Sequence, residues 1–117
     1  MSDRRLDIKI AEKVFGHKVR VKHNYTTNTT YYYFTEGHVS TGLPYYSTDI
    51  QDTMQIIDKL QEFDCSVIIE AKHGDFYIEA AKVEHSMDKH SFTEEEVIDI
   101  NLARGICNLA LQIIERL

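Results

Sequence analysis

The chain has 117 residues, 43% of them apolar and 27% charged, the balance of one soluble globular domain over 1–117 and not of a disordered tail. Its formal net charge of −6 argues against a general binder of DNA or RNA polymers, whose affinity rests on surplus Lys and Arg neutralising phosphates. A small anion held by one or two local arginines stays open. No apolar run nears the ~18 residues of a membrane span, and the opening MSDRRLDIKI has no apolar signal core, so a cytosolic protein is expected.

Leu6, Ile10 and Val14 recur at i, i+4, i+8, with Ile8, Ala11 and Phe15 widening the stripe and Gly16 placed as a C′ glycine. This predicts a first helix, with Asp3 as its N-cap. KVRVKHNY then alternates Val19 and Val21 against Lys18, Arg20 and Lys22, and TTYYYFT follows, so two antiparallel strands are expected, joined near Thr27 and Asn28. EGHVSTG reads as loop. In the stretch LPYYSTDIQDT, Ser47, Thr48 and Asp49 are all competent N-caps, and Thr48 has capping-box spacing to Gln51. The apolar positions Ile50, Met54, Ile57, Leu60 and Phe63 predict the second helix.

CSVIIEA, the turn KHGD and FYIEAAKV form a hairpin, with Gly74 supplying the positive φ of the turn. After the polar loop EHSMDKHS, the last helix is expected to begin at Thr93, boxed with Glu96, or nearer Asp99. Its stripe runs through Val97, Ile100, Cys107, Ala110, Ile114 and Leu117. The expected fold class is α+β, in the order α-β-β-α-β-β-α, with a four-stranded, mainly antiparallel sheet covered by three helices.

Few patterns point to catalysis. Cys65 and Cys107 lie in apolar segments without CxxC spacing and read as buried thiols of a reducing compartment. The six histidines are scattered, and His85, Asp88 and His90, the nearest to a cluster, read as solvated loop residues. The run Glu94, Glu95, Glu96 reads as an acidic helix start. With no P-loop, GxSxG or GxGxxG, neither an enzyme nor a metal or cofactor is expected. Alternation sends Tyr31 and Tyr33 to one strand face and Tyr32 and Phe34 to the other, so one pair enters the core. Arg104, beside Gly105 at the edge of the last helix's stripe, needs a carboxylate or a phosphate as partner.

Taken together, LDIKIAEKVFG, LPYYSTDIQDTMQIIDKL and ARGICNLALQII resemble, in that order, the phage ABA sandwich domain. The middle motif, PxYSTDI opening a helix, is the most specific; TTNTTYYYFTEGH and SFTEEEVID depart from the pattern. The resemblance implies a phage origin and an α/β sandwich. Small phage proteins of similar build include the Thoeris anti-defence sponges, compact oligomers that capture a cyclic ADP-ribose signal, and sometimes cyclic oligonucleotides, without degrading it.

The function expected on this basis is non-catalytic capture of a small phosphorylated nucleotide signal. Phe15, Tyr45, Tyr46 and Phe76 are candidates to stack on its base, and Arg20 and Arg104, with Ser47 and Thr48 at the helix start, to hold its pyrophosphate. Asn101 is a candidate for a hydroxyl or base edge. A homo-oligomer is expected, because small domains commonly bury a ligand between subunits. The alternative is a phage module that inhibits a host protein by direct contact through an acidic, tyrosine-rich surface. A nuclease or phosphodiesterase using His73 or His85 as general base is the third possibility.

Overall fold

The computed structural model describes residues 3–83 and 92–116, with the side chains of 82, 83, 92–96 and 116 left aside. The loop carrying His85, Asp88 and His90 lies outside the described residues. The elements are α1 (Asp3–Lys13), β1 (Arg20–Asn24), β2 (Thr29–Glu36), β3 (Val39–Gly42), α2 (Ile50–Glu62), β4 (Cys65–Lys72), β5 (Asp75–Val83), β6 (Phe92–Asp99) and α3 (Leu102–Arg116). The strands form two antiparallel three-stranded sheets, β1-β2-β3 and β4-β5-β6.

The expected α+β class is therefore present, but the single four-stranded sheet is replaced by two sheets of three. Two strands account for the difference. EGHVSTG, expected as loop, turns at Gly37 (φ +59°) and returns as β3, with Glu36 opposite Val39 and Tyr33 opposite Gly42. Every residue of β3 is exposed, so no apolar alternation marks it. The run TEEEVID, within which a Thr93 start would have opened the last helix, is β6, paired with β5 from Val83 opposite Phe92 to Phe76 opposite Asp99, and the helix begins at Leu102, close to the alternative start near Asp99. A long-range ladder overrides the local capping signal there.

Asp3, expected as the N-cap, is instead the first helical residue of α1, whereas the expected turns hold. Gly16 (φ +74°) ends the first helical segment, and the His17 N–H returns to the Ala11 carbonyl at 2.9 Å. At the β4-β5 turn both His73 (φ +52°) and Gly74 (φ +84°) are left-handed, as a type I′ turn requires. At the first hairpin the Asn24 side-chain oxygen accepts from the Thr26 and Thr27 N–H groups, and Asn28 takes φ +53°.

The core lies on one face of β4-β5-β6. It joins Leu6, Ile10 and Ala11 of α1, Ile56 and Leu60 of α2, Ile78 and Ala80 of β5, and the α3 stripe Ile106, Cys107, Leu109, Ala110 and Ile113. Both cysteines are buried, as expected. On α2 the buried stripe is Thr53, Ile56 and Leu60, whereas Ile50 and Met54, expected inside, are about half exposed (46% and 47%). Gly105 lets α3 close onto the sheet: a Cβ there would fall 2.5 Å from Ile78 Cδ1 and 3.1 Å from Asp99 Cβ. The molecule is long and flat, 60 × 38 × 20 Å, with a radius of gyration of 16.1 Å, against about 13 Å for a compact chain of this length.

Candidate functional site

The stretch from Leu43 to Thr53 turns on a buried carboxylate. Asp7, fully buried on α1, accepts at Oδ1 from the Ser47 N–H (2.8 Å) and the Ser47 hydroxyl (2.7 Å), and at Oδ2 from Arg4 Nη1 (2.9 Å). A buried charge survives only when paired and hydrogen-bonded in this way. Arg4 also donates to the carbonyls of Pro44 (3.0 Å) and Leu43 (2.9 Å), with its guanidinium carbon 3.8 Å from the Tyr45 ring centre and 5.9 Å from that of Tyr32. The Thr53 hydroxyl closes the loop onto the Tyr46 (2.6 Å) and Asp49 (2.8 Å) carbonyls. Asp49 is the N-cap of α2, its side chain accepting from the Gln51 N–H at 2.9 Å. The capping run is thus divided: Asp49 caps, Ser47 clasps Asp7, and Thr48 is exposed.

This clasp sets one wall of a cleft of about 660 Å³ lined by residues from Phe15 to Gln55, within the range of small-molecule sites. Four rings form a near-parallel ladder along it. Tyr46 and Phe15 stand 5.2 Å apart at 14°, Phe15 and His17 6.0 Å apart at 6°, and His17 and Phe34 3.9 Å apart at 6°. The polar lining is acidic, from Glu36 and Asp52, with Gln55 beside them. His17 Nε2 lies 3.3 Å from Glu36 Oε1, and Asp52 Oδ2 accepts from the Tyr45 N–H at 2.8 Å. Burial, with Asp52 and Asp7 nearby, pushes the Tyr46 hydroxyl well above the ordinary tyrosine value, so it stays protonated. A smaller hollow of about 390 Å³, lined by Arg4, Thr30, Tyr31 and Tyr32, shares Gly42, Leu43 and Tyr45 with the cleft.

Of the residues singled out in the sequence, Phe15, Tyr45 and Tyr46 meet in this cleft. Ser47 lies behind it, its hydrogen bonds turned to Asp7, and Thr48 lies at the exposed start of α2, where the Asp49 carboxylate already occupies the cap. Phe76, Asn101 and Arg104 belong to another corner, where β5, β6 and α3 meet. There Arg104 makes a two-pronged pair with Asp99 (2.9 and 2.6 Å), and the Asn101 side chain accepts from the Arg104 N–H at 3.0 Å to start α3. The Arg104 guanidinium holds the Asp99 carboxyl below the usual carboxylate range. Arg20 stands opposite Tyr33 in the ladder, on the strand face turned away from Phe34 and the cleft.

The sequence reading missed Arg4, Asp7, His17, Phe34 as a cleft residue, Glu36 and Asp52. A signal for Asp7 exists: it lies three, four and seven residues before Ile10, Ala11 and Val14, a carboxylate within the apolar stripe of the first helix. Arg4 stands three residues before it, at pairing distance on a helix. The cleft partners His17, Phe34, Glu36 and Asp52 come from three separate segments, the turn after α1, β2 and α2, and strand spacing joins only Phe34 and Glu36.

A family model described as the phage ABA sandwich domain matches residues 8–111 of the chain. No curated protein and no solved structure matches it.

Proposed function

The chain belongs to the phage ABA sandwich domain family, and from that premise we propose that it is a non-catalytic binding protein that captures a small nucleotide signal in the ring-lined cleft. The observation that carries this reading is the aromatic cleft itself, where exposed Tyr45 and half-buried Phe15 and His17 stand with the buried rings of Tyr46 and Phe34 behind them, a lining suited to a planar base. Glu36, Asp52 and Gln55 supply acceptors for ribose hydroxyls or an exocyclic amine. The cleft carboxylates repel phosphate, so the phosphates face the adjoining hollow. Arg4 is the arginine there, with three of its five N–H donors engaged by Asp7, Leu43 and Pro44. This assigns to Arg4 the role expected of Arg20 and Arg104.

Titration calorimetry with cyclic ADP-ribose isomers and cyclic oligonucleotides tests the reading, followed by heat release and mass spectrometry of the ligand. Saturable binding is expected, with the ligand recovered intact. Tyr45→Ala, at a half-exposed position (53%), is expected to weaken binding at least about tenfold, some 1.4 kcal/mol, with little change in folding. Binding by none of these nucleotides, or recovery of a cleaved ligand, overturns it.

A further inference from the structure

The two sheets each leave one broad face uncovered, and the faces are opposite in charge. In β1-β2-β3 the register sets Arg20 opposite Tyr33, Lys22 opposite Tyr31 and Thr35 opposite Ser40. Residues directly opposite share a face, so this one carries two cations and two tyrosines and no carboxylate. Arg20, Lys22 and Tyr31 are exposed, Tyr31 by 50%. In β4-β5-β6 the face turned from the helices carries Ile68, Glu70 and Lys72 of β4, Asp75, Tyr77 and Glu79 of β5, and Ile98 of β6. Ile68 and Ile98 are 64% and 56% exposed. Its only cation among the described side chains, Lys72, is held by Glu70 at 2.9 Å, which leaves the face acidic.

We infer that these two faces dock on each other between copies of the chain, the Arg20, Lys22, Tyr31, Tyr33 face of one copy against the Ile68, Tyr77, Ile98 face of the next. Either face against its own kind would set like charges together, which disfavours association. Opposed, the cations of one copy meet Glu79 and Asp75 of the other while the tyrosines cover the exposed isoleucines. Both sheets are three strands wide, so their widths match for face-to-face packing at about 10 Å. A contact between two different faces is head-to-tail, and it propagates into a closed ring or a filament. The inference does not rest on a ligand in the cleft, and Tyr31 is the residue the docking face shares with the smaller hollow.

Sedimentation velocity on two variants tests it. Arg20→Glu with Lys22→Glu disables the basic face, and Ile68→Lys with Glu79→Lys disables the acidic one; all four positions are exposed, and circular dichroism melts verify that each variant folds. The wild type is expected to sediment as a species larger than the monomer and to shift toward monomer as salt rises. Each variant alone is expected to be monomeric, and their equimolar mixture to associate again, since each retains the face the other lacks. A monomeric wild type at low salt, a variant that still self-associates alone, or a mixture that stays monomeric overturns the inference.

Discussion

The two sheets have the same strand number and the same meander order, yet they are attached to the molecule by different physics. β4-β5-β6 is backed by α3 and α2 over an apolar core from Ile78 to Ile113. Among the described residues no helix runs across β1-β2-β3. That sheet is joined to the helices by Phe34 stacked on His17, by buried Leu43, and by Arg4, which reaches from α1 to the Leu43 and Pro44 carbonyls and the Tyr32 ring. One sheet is held by many interchangeable contacts, the other by a few directional ones. A single substitution should therefore loosen the second sheet selectively and affect the first only through packing.

The largest expected effect comes from cutting the clasp. Asp7→Ala leaves Arg4 without its carboxylate and the Ser47 N–H without an acceptor, and should cost about 3–5 kcal/mol in chemical denaturation. The matching hydrogen-exchange experiment sharpens the contrast: Arg4→Ala should speed exchange in β1-β2-β3 while β4-β5 keeps its protection. Equal loss in both sheets would erase the distinction. Next is Gly105→Ala, whose added methyl meets Ile78 Cδ1 and the Asp99 Cβ; about 1–3 kcal/mol is expected from overpacking, with exchange in β1-β2-β3 unaffected. Asp49→Ala removes the α2 cap and should cost about 1 kcal/mol, read from the thermal midpoint.

The smallest effect is expected for Arg104→Ala, since its side chain is 44% exposed and screened by water. Its sign with pH is nonetheless fixed. The Asp99 pKa is lowered in the folded state, so the stability it contributes is complete above about pH 4 and is lost as pH falls through the lowered value. The gap between wild type and Arg104→Ala should close in acid. Cys107 gives the opposite slope: burial, with Asp7 nearby, pushes its thiol up to about 12, so the folded state keeps a proton that the unfolded chain releases above about pH 8.5. Its stabilising effect is present below that pH and declines as pH rises toward 12. Alkylation followed by mass spectrometry should find Cys107 unreactive at neutral pH until the protein unfolds.

Helical stripes and hairpin turns were legible in the sequence because their causes are local. Gly16, Gly74 and the Tyr32/Phe34 split of the aromatic strand all behave as their spacing requires, with Phe34 buried. β3 was illegible because VSTG is short and exposed along its length, and β6 because Thr93 and Glu96 imitate a capping box whose alternative, the ladder to β5, depends on residues nine or more positions away. The site divides in the same way. Phe15, Tyr45 and Tyr46 stand out as rings beside helix ends, whereas His17, Glu36 and Asp52 acquire a shared purpose only when the chain folds back. Arg104 showed its need for a partner in the sequence; that the partner is Asp99, five residues earlier, follows from the β6-α3 corner, which a helix start at Thr93 would have removed.

The cleft runs along the seam between the two attachments, with Phe34, Glu36 and Thr41 on the lightly held sheet and Phe15, Asp52 and Gln55 on the helical side. A guest lodged there would act as mortar between a firm wall and a loose one. Its occupancy should be felt more strongly by the amides of β1 to β3 than by those of β4 and β5, so that the molecule would announce a filled cleft by the stiffening of one sheet.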